Sequence, residues 1–373
     1  MIKSLAHTFI KNYKLNESFY IVSTTMLKEK IDLWREKLPR VTPFYAVKCN
    51  PNKEMIKLMI KENMGFDCAS HNEIDTVLKL GANKNNIIFA HPVKKTEDLD
   101  YAINTGIKYT TFDSISELEK LQTHAPSMKC LIRLKVDNPT ARVQLGLKYG
   151  AAKSEYTDLI DAAYDMNINI VGTSFHVGSA SKDPIVFMHG LNYSRDVFDY
   201  AKKKGYIMDI LDIGGGFTKD TFTDCSNIIN YGLDKHFNDP EIKIISEPGR
   251  FFAEEIFTFF TPIIGQKIKD DIFNYWITDG MYGSFNCIIY DSQIPKYEVL
   301  RNPLLPTYTG DNENLQCVIQ GVSCDVADRV GTTSLPYIRN KDFLMVQNFG
   351  AYTISAAKDF NGINMTNIIM FYV

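Results

Sequence analysis

From about residue 24 to about 255, short apolar runs alternate with segments whose apolar residues recur three and four positions apart. The runs are Pro43–Val47, Gly65–Ala69, Ile87–Ala90, Tyr109–Phe112, Leu131–Val136, Ile170–Phe175, Ile210–Ile213 and Ile242–Ser246. Their length and their β-branched and aromatic content predict strands. Between them, Ile56, Met59 and Ile60 share one face, as do Ile74, Val77 and Leu78, which predicts amphipathic helices. Ser114 with Glu117 spells a capping box ahead of Leu118 and Leu121. Eight strands alternating with helices over about 230 residues predict a (β/α)8 barrel. A doubly wound open sheet has the same count and stays open as the competing topology.

After about residue 256 the texture changes. TFFTPIIGQKI, YWITDGMYGSF, LQCVIQGVSC and DFLMVQNFGAYT are strand-like and broken by Gly, Asn and Asp turns. They predict a β-domain, which the N-terminal run SFYIVST joins as one strand. Tyr297–Asn314, rich in Pro, Asn and Asp, predicts a loop. The expected organisation is a barrel over 24–255 and a β-domain over 1–23 and 256–373.

The 373 residues are 45% hydrophobic and 23% charged, with a net charge of −3 and no basic stripe, so nucleic acid is excluded as a partner. The longest apolar stretch, Ile256–Gly265, is too short to span a bilayer. The N-terminus lacks an apolar core followed by a small-residue cleavage site. Seven cysteines, none in a CxxC pair, point to reduced thiols rather than to a disulfide framework or a metal site. A cytoplasmic location follows.

The predicted strands end in Lys48, Asp67, His91, Asp113, Arg133, His176, Gly214–Gly216 and Glu247. Catalytic groups of such barrels collect at that face. The glycines of IGGGF let backbone N–H groups approach a phosphate, and EPGR puts Arg250 close by. Each residue alone has a plainer reading, a solvated charge at a strand end. Together, a lysine, a phosphate cradle, a carboxylate and a histidine are what pyridoxal phosphate requires.

The stretches PFYAVKCN, FDCAS, TFDS, FHVGS, DIGGGF, ISEPGR, DGMYGSFNCIIYD, SCDVADR, GAYT and DFNG, in that order, resemble the eukaryotic-type ornithine decarboxylases. These belong to a barrel-fold family that also holds arginine and diaminopimelate decarboxylases and alanine racemase. The resemblance implies an α/β chain: an alanine-racemase-like (β/α)8 barrel with a C-terminal β-sandwich or β-barrel domain. It implies pyridoxal 5'-phosphate as cofactor. Lys48 becomes the Schiff-base lysine, Glu247 the partner of the pyridinium nitrogen, and His176 the ring stacked on the cofactor with Ser179 near it. Gly215, Gly216, Arg250 and Tyr352 would hold the phosphate; Asp67, Glu73 and Arg133 would support lysine and cofactor. Cys324, on a loop that in this family enters the partner subunit's site, would return the proton to the α-carbon. The implied assembly is a homodimer with shared sites. Cys49 and Cys68 are expected in the core or behind the site, and His71 and His91 as ordinary polar residues.

Tyr282, Tyr290, Asp291 and Asp325 would bind substrate. In YDSQ, Asp291 matches the aspartate of the ornithine enzymes, where a viral arginine-specific relative carries glutamate. Two carboxylates facing one δ-ammonium imply L-ornithine, since a buried ammonium needs a carboxylate partner. Lysine or arginine on the same scaffold is the alternative. A catalytically inactive, antizyme-binding regulator is the rival of another class, and retention of the full residue set argues against it. Two departures stand out. Ala180 replaces a usual glycine, and Thr96–Glu119 is not basic; with no long C-terminal tail, antizyme control is not expected.

Overall fold

After β1 (Phe19–Val22), eight parallel strands follow: β2 (Val41–Ala46), β3 (Gly65–Cys68), β4 (Ile87–Phe89), β5 (Tyr109–Phe112), β6 (Lys129–Leu134), β7 (Asn169–Phe175), β8 (Ile210–Asp212) and β9 (Lys243–Ser246). Each pairs with the next, and β9 returns to β2 through Val41 opposite Ile244, so the sheet closes. Closure decides against the open-sheet alternative. The structure is a computed structural model describing residues 1–311 and 313–373. The described chain separates into two units, Lys28–Phe252 and Met1–Leu27 with Ala253–Val373.

The barrel interior explains the apolar runs. Phe44, Ile88, Leu131, Val171, Ile210 and Ile245 meet in one buried cluster, filling the cylinder as stacked side chains do in barrels of this kind. Both faces of each strand are covered, so the runs lack a polar alternation. The helix Lys53–Lys61 buries Met55, Ile56 and Met59, and Asn52 caps it by accepting the Met55 N–H. His71–Lys79 buries Ile74 and Val77. There Ser70 accepts the Glu73 N–H while Glu73 Oε2 accepts the Ala69 N–H at 2.6 Å.

The expected capping box at Ser114 forms only by half. Ser114 accepts the Glu117 N–H, but the Glu117 carboxylate is drawn into the interior. Lys94 Nζ lies 2.8 Å from Oε1 and Lys120 Nζ 2.5 Å from Oε2. Lys94 also donates to Thr111 O at 2.7 Å and to His91 O at 2.9 Å. The Lys94 and Glu117 side chains are 0% and 1% exposed, so the pair must be satisfied within the protein.

In the other unit lie β10 (Phe257–Lys269), β11 (Ile272–Ile277), β12 (Tyr297–Leu300), β13 (Asn314–Gln320), β14 (Arg329–Pro336), β15 (Phe343–Val346) and β16 (Ile369–Tyr372). They form a mixed sheet in the order β12-β15-β10-β11-β13-β14. β1 joins it, antiparallel to β10 and parallel to β16. Phe19, Ile21, Phe260, Leu300, Phe343 and Met345 make its core together with Ala6 and Ile10.

Four elements here depart from the sequence reading. The helix Ile2–Tyr13 precedes β1 and presses Ala6 and Ile10 into that core, with Ile2, Leu5 and Phe9 beside them. β12 falls inside the predicted loop: four residues at the sheet's edge, bracketed by Pro295 and Pro303, mask their own alternation. β14 and β16 were not expected either, because β14 is largely threonine, serine and glycine and shows only Val330 and Leu335 as buried apolar positions. Asn312, within the predicted loop, lies outside the described residues. Among the described residues no helix is long and apolar enough to cross a membrane.

Replacing Lys94 by Met takes the buried cation from Glu117 Oε1, leaving the half-buried Lys120 on Oε2, and deprives two carbonyls of their donor, with an expected loss of about 3 kcal/mol in urea unfolding. The double variant Lys94→Met/Glu117→Leu is expected to regain a large part of that loss. Equal stabilities for the single variant and the parent would contradict a structural ion pair.

Candidate active site

The strand register sets the site. Ala46 of β2 lies opposite Asp67 of β3, and the single 3-10 turn Val47–Cys49 that ends β2 offers Lys48 to that carboxylate. Lys48 Nζ and Asp67 Oδ2 form an ion pair; the aspartate is fully buried and the lysine side chain 38% exposed. The amine is therefore held by a buried carboxylate at the end of β2 and does not stand alone in solvent.

Glu247 follows β9, and Arg133 sits in β6; both are buried. Asp212, the last residue of β8, pairs in register with Ile245 of β9 and lies within hydrogen-bonding reach of the Glu247 side chain. Asp212 Oδ1 accepts the Gly214 N–H at 2.8 Å. Asp212 Oδ2, Glu247 Oε1 and Asp67 Oδ1 are buried and meet no protein hydrogen-bond donor among the described residues. Burial pushes Asp212 up to about 7. Burial, then repulsion from Asp212 and Asp67, holds Glu247 well above the usual carboxylate range. Lys48 and Arg133 pull in the other direction without cancelling this. The pair retains a proton near neutrality, because two buried carboxyls in contact do not both ionise. Asp212 is the residue that the sequence reading missed. It stood in plain view in DIGGGF, but only the cross-strand register shows its partner.

His176 Nδ1 accepts the Gly178 N–H at 3.0 Å, which leaves the ring proton on Nε2. Burial first, then the positive Arg133 and Lys48, hold His176 well below its ordinary pKa, so the ring is neutral and flat. Of the three glycines, Gly215 lies directly against the ring, while Gly214 and Gly216 pack on the backbone and side chains of 175–181. A Cβ on Gly215 would stand 2.6 Å from Glu247 O and 2.8 Å from His176 Nε2, and Gly214 (φ 65) would drive one to 2.0 Å from Phe175 O. Glycine is thus demanded by close packing as well as by any anion. The loop's carbonyls turn into the protein: Gly214 O takes the Glu247 N–H, and Gly216 O the Ser181 N–H.

Arg250 Nη2 donates to Ser179 Oγ at 3.0 Å. Ser179 is held in turn by two backbone bonds with Val143 (2.9 and 3.3 Å). Asn138 fastens the same loop by donating to Val177 O and Ser181 Oγ. Ala180 stands here in the left-handed region at φ 52. Glu73, raised by burial, spends its carboxylate on the Ala69 N–H and so supports the turn beyond Asp67. Cys49 and Cys68 are buried. His91 packs edge-on against Tyr149 and His71 pairs with Asp98, neither joining this set.

The remaining expected residues belong to the mixed-sheet unit and form two groups. Tyr282 donates its hydroxyl to Asp325 Oδ2 and stacks on Phe360 at 3.9 Å. Beside Asp325, Cys324 is exposed, the one exposed thiol among the described cysteines. That removes its reading as a buried structural residue. Asp291 is buried and accepts from Gln293, while Tyr290 is 68% exposed. Tyr352 sits at φ 58 between buried Ala351 and Thr353.

The barrel mouth offers an anion cradle (Gly215, Gly216, Ser179, Arg250), an amine, a neutral aromatic ring and a proton-retaining carboxyl pair. Its orphaned buried oxygens fit a group that brings a cationic N–H, and its cradle one that brings an anion such as phosphate. Between pH 4 and 7 an unfolded Asp212 ionises near 3.9 while the folded one holds its proton to about 7. Stability from this group is therefore complete below pH 4 and declines as pH rises through 7. Asp212→Asn is expected to flatten that decline when cofactor-free protein is unfolded with urea at pH 5 and 7.5; parallel profiles for variant and parent would refute the assignment.

Comparison with known proteins agrees with this chemistry. Residues 24–254 match the family model described as pyridoxal-dependent decarboxylase, pyridoxal binding domain. An ornithine decarboxylase of Schizosaccharomyces pombe is 39% identical over 361 residues, covering 95% of this chain and 83% of that one. The mouse ornithine decarboxylase is 37% identical over 94% of this chain and 80% of its own. Among solved structures, the Paramecium bursaria Chlorella virus arginine decarboxylase superposes with a TM-score of 0.94 at 35% identity, over 100% of both chains. The Selenomonas ruminantium lysine decarboxylase does so with 0.88 at 30%, over 98% and 94%. The chain belongs to the pyridoxal-dependent decarboxylases, enzymes built on an alanine-racemase-like barrel with an added β-domain.

Proposed function

We propose that this decarboxylase acts on L-ornithine, releasing putrescine and CO2, as a cytoplasmic homodimer whose sites are shared between subunits. The observation that carries the substrate is a pair of carboxylates, Asp291 and Asp325, each accepting from a neutral donor: Gln293 for the first and Tyr282 for the second. Both can take a primary ammonium. Ornithine decarboxylases 37–39% identical over nearly the whole chain support the same choice. Arginine is the second reading, favoured by the close superposition on the viral arginine decarboxylase. A guanidinium is planar and longer, and asks for a bidentate site.

The family resemblance assigns the residue roles, and the geometry of the barrel mouth supports those of its own residues. Pyridoxal phosphate, when bound, supplies an aldehyde to capture the substrate amine and a ring that draws electrons from the breaking bond to the carboxylate. Lys48 would hold the aldehyde carbon, with Asp67 keeping the amine oriented. Glu247 would face the ring nitrogen, with Asp212 beside it and one proton shared between them. His176 would give the flat face on which the ring rests. Gly215, Gly216, Ser179, Arg250 and Tyr352 would hold the phosphate. Cys324, exposed on its turn, would deliver a proton to the α-carbon after CO2 leaves. Asp325, kept below its ordinary range by the Tyr282 hydroxyl, stays ionised to meet the distal amine. The six buried free thiols are in keeping with a reducing compartment.

The substrate is tested by loading the protein with pyridoxal phosphate and measuring CO2 release from ornithine, lysine and arginine. Ornithine should lead lysine by about 10- to 200-fold, the range one methylene commands; an arginine lead would overturn the proposal. Lys48→Ala should abolish turnover, and Cys324→Ala should lose most of it while keeping the cofactor. Equal mixtures of these two variants should recover about a quarter of full activity, through heterodimers with one intact site. No recovery after subunit exchange would rule out shared sites.

A further inference from the structure

Asp291 does not stand alone. The backbone N–H groups of Asp291 and Gln293 both donate to Cys287 O, at 3.0 and 3.1 Å. Ser292 between them is in the left-handed region, φ 50. That reversal exposes Ser292 and turns the side chains on either side of it inward, so that Asp291 is 3% and Gln293 8% exposed. Gln293 Nε2 donates to Asp291 Oδ2 at 2.7 Å and to Ala351 O at 2.6 Å. Two acceptors claim the two amide hydrogens, which settles which end of the amide is nitrogen. Nearby, Asn286 Nδ2 donates to Thr353 O at 2.5 Å. Two amide side chains thus seize the backbone on both sides of Tyr352.

We propose that Gln293 is the positioning residue that sets the enzyme's selectivity for substrate chain length. It clamps the Asp291 carboxylate to a fixed point of the backbone, Ala351 O, so the depth at which a distal ammonium is met cannot adjust. A rigid anion rejects an amine that ends one methylene too far; a carboxylate free to rotate follows the amine. The proposal rests on the reading that Asp291 meets the distal ammonium. Gln293 does not itself need to touch the substrate.

The test uses cofactor-loaded enzyme with ornithine and lysine. Gln293→Met keeps the side-chain volume and removes both hydrogen bonds; Gln293→Ala is the second variant should the first fail to fold. Expected is a fall of at least about fivefold in the ornithine-to-lysine ratio of kcat/KM, within the range one methylene can command. The change should fall mainly in KM, with the visible absorption of the bound cofactor retained. Asp291→Asn is run alongside. If Asp291→Asn moves the ratio and Gln293→Met leaves it within twofold, the positioning role is overturned and the substrate reading stands. If Asp291→Asn leaves the ratio unmoved, the substrate reading fails and the proposal falls with it. Loss of cofactor absorption in both Gln293 variants would make Gln293 a support for the Tyr352 segment and would also overturn the proposal.

Discussion

Three carboxyl groups, Asp67, Asp212 and Glu247, are closed into the barrel mouth against two cations, Lys48 and Arg133. Water is scarce there, so the surplus negative charge cannot be screened and one proton must stay. That imbalance organises everything else at the site. It draws Lys48 into an ion pair with Asp67 and leaves Glu247 with an oxygen in want of a donor, while burial first, and then the same cations, keep His176 uncharged. A ligand arriving with a cationic N–H relieves the imbalance, and one that brings phosphate as well meets the guanidinium of Arg250 beside Ser179. Affinity for the cofactor is thus written into the charge count before any contact is considered.

Much of the barrel was legible in the sequence because parallel strands buried on both faces show as plain apolar runs, and their ends as polar punctuation. What the runs could not show is closure, which depends on Val41 meeting Ile244 across 203 positions of chain, the difference of the two residue numbers. Lys48, Glu247 and His176 were legible from type and place. Asp212 was not, since its meaning comes from standing beside Glu247 across the β8–β9 register. Gln293 was hidden for a similar reason: an exposed-looking polar residue is swung inward by the left-handed Ser292. The helix Ile2–Tyr13 carries a helical spacing of apolar residues at 2, 5, 6, 9 and 10, which becomes meaningful only once the β1–β10 sheet offers a face to bury them.

The mixed-sheet unit shows how a long strand serves two neighbourhoods. β10 runs for 13 residues; its first half pairs with β1 and β15, and its second half with β11. The burial pattern follows, seven buried residues and then a largely exposed stretch. From this frame hang the turns that carry Tyr282, Asp291 and Cys324. Each is tied by side chains to backbone, an arrangement that gives loops the precision of regular elements.

Ala180 sits on the phosphate-side loop in a backbone conformation that a side chain resists, at a penalty of about 1 kcal/mol. A glycine would escape that penalty but would wander more widely when the chain is unfolded, so alanine offsets part of the strain by narrowing the denatured ensemble. Less freedom remains to be frozen when an anion settles over the loop, and more of the binding free energy survives as grip.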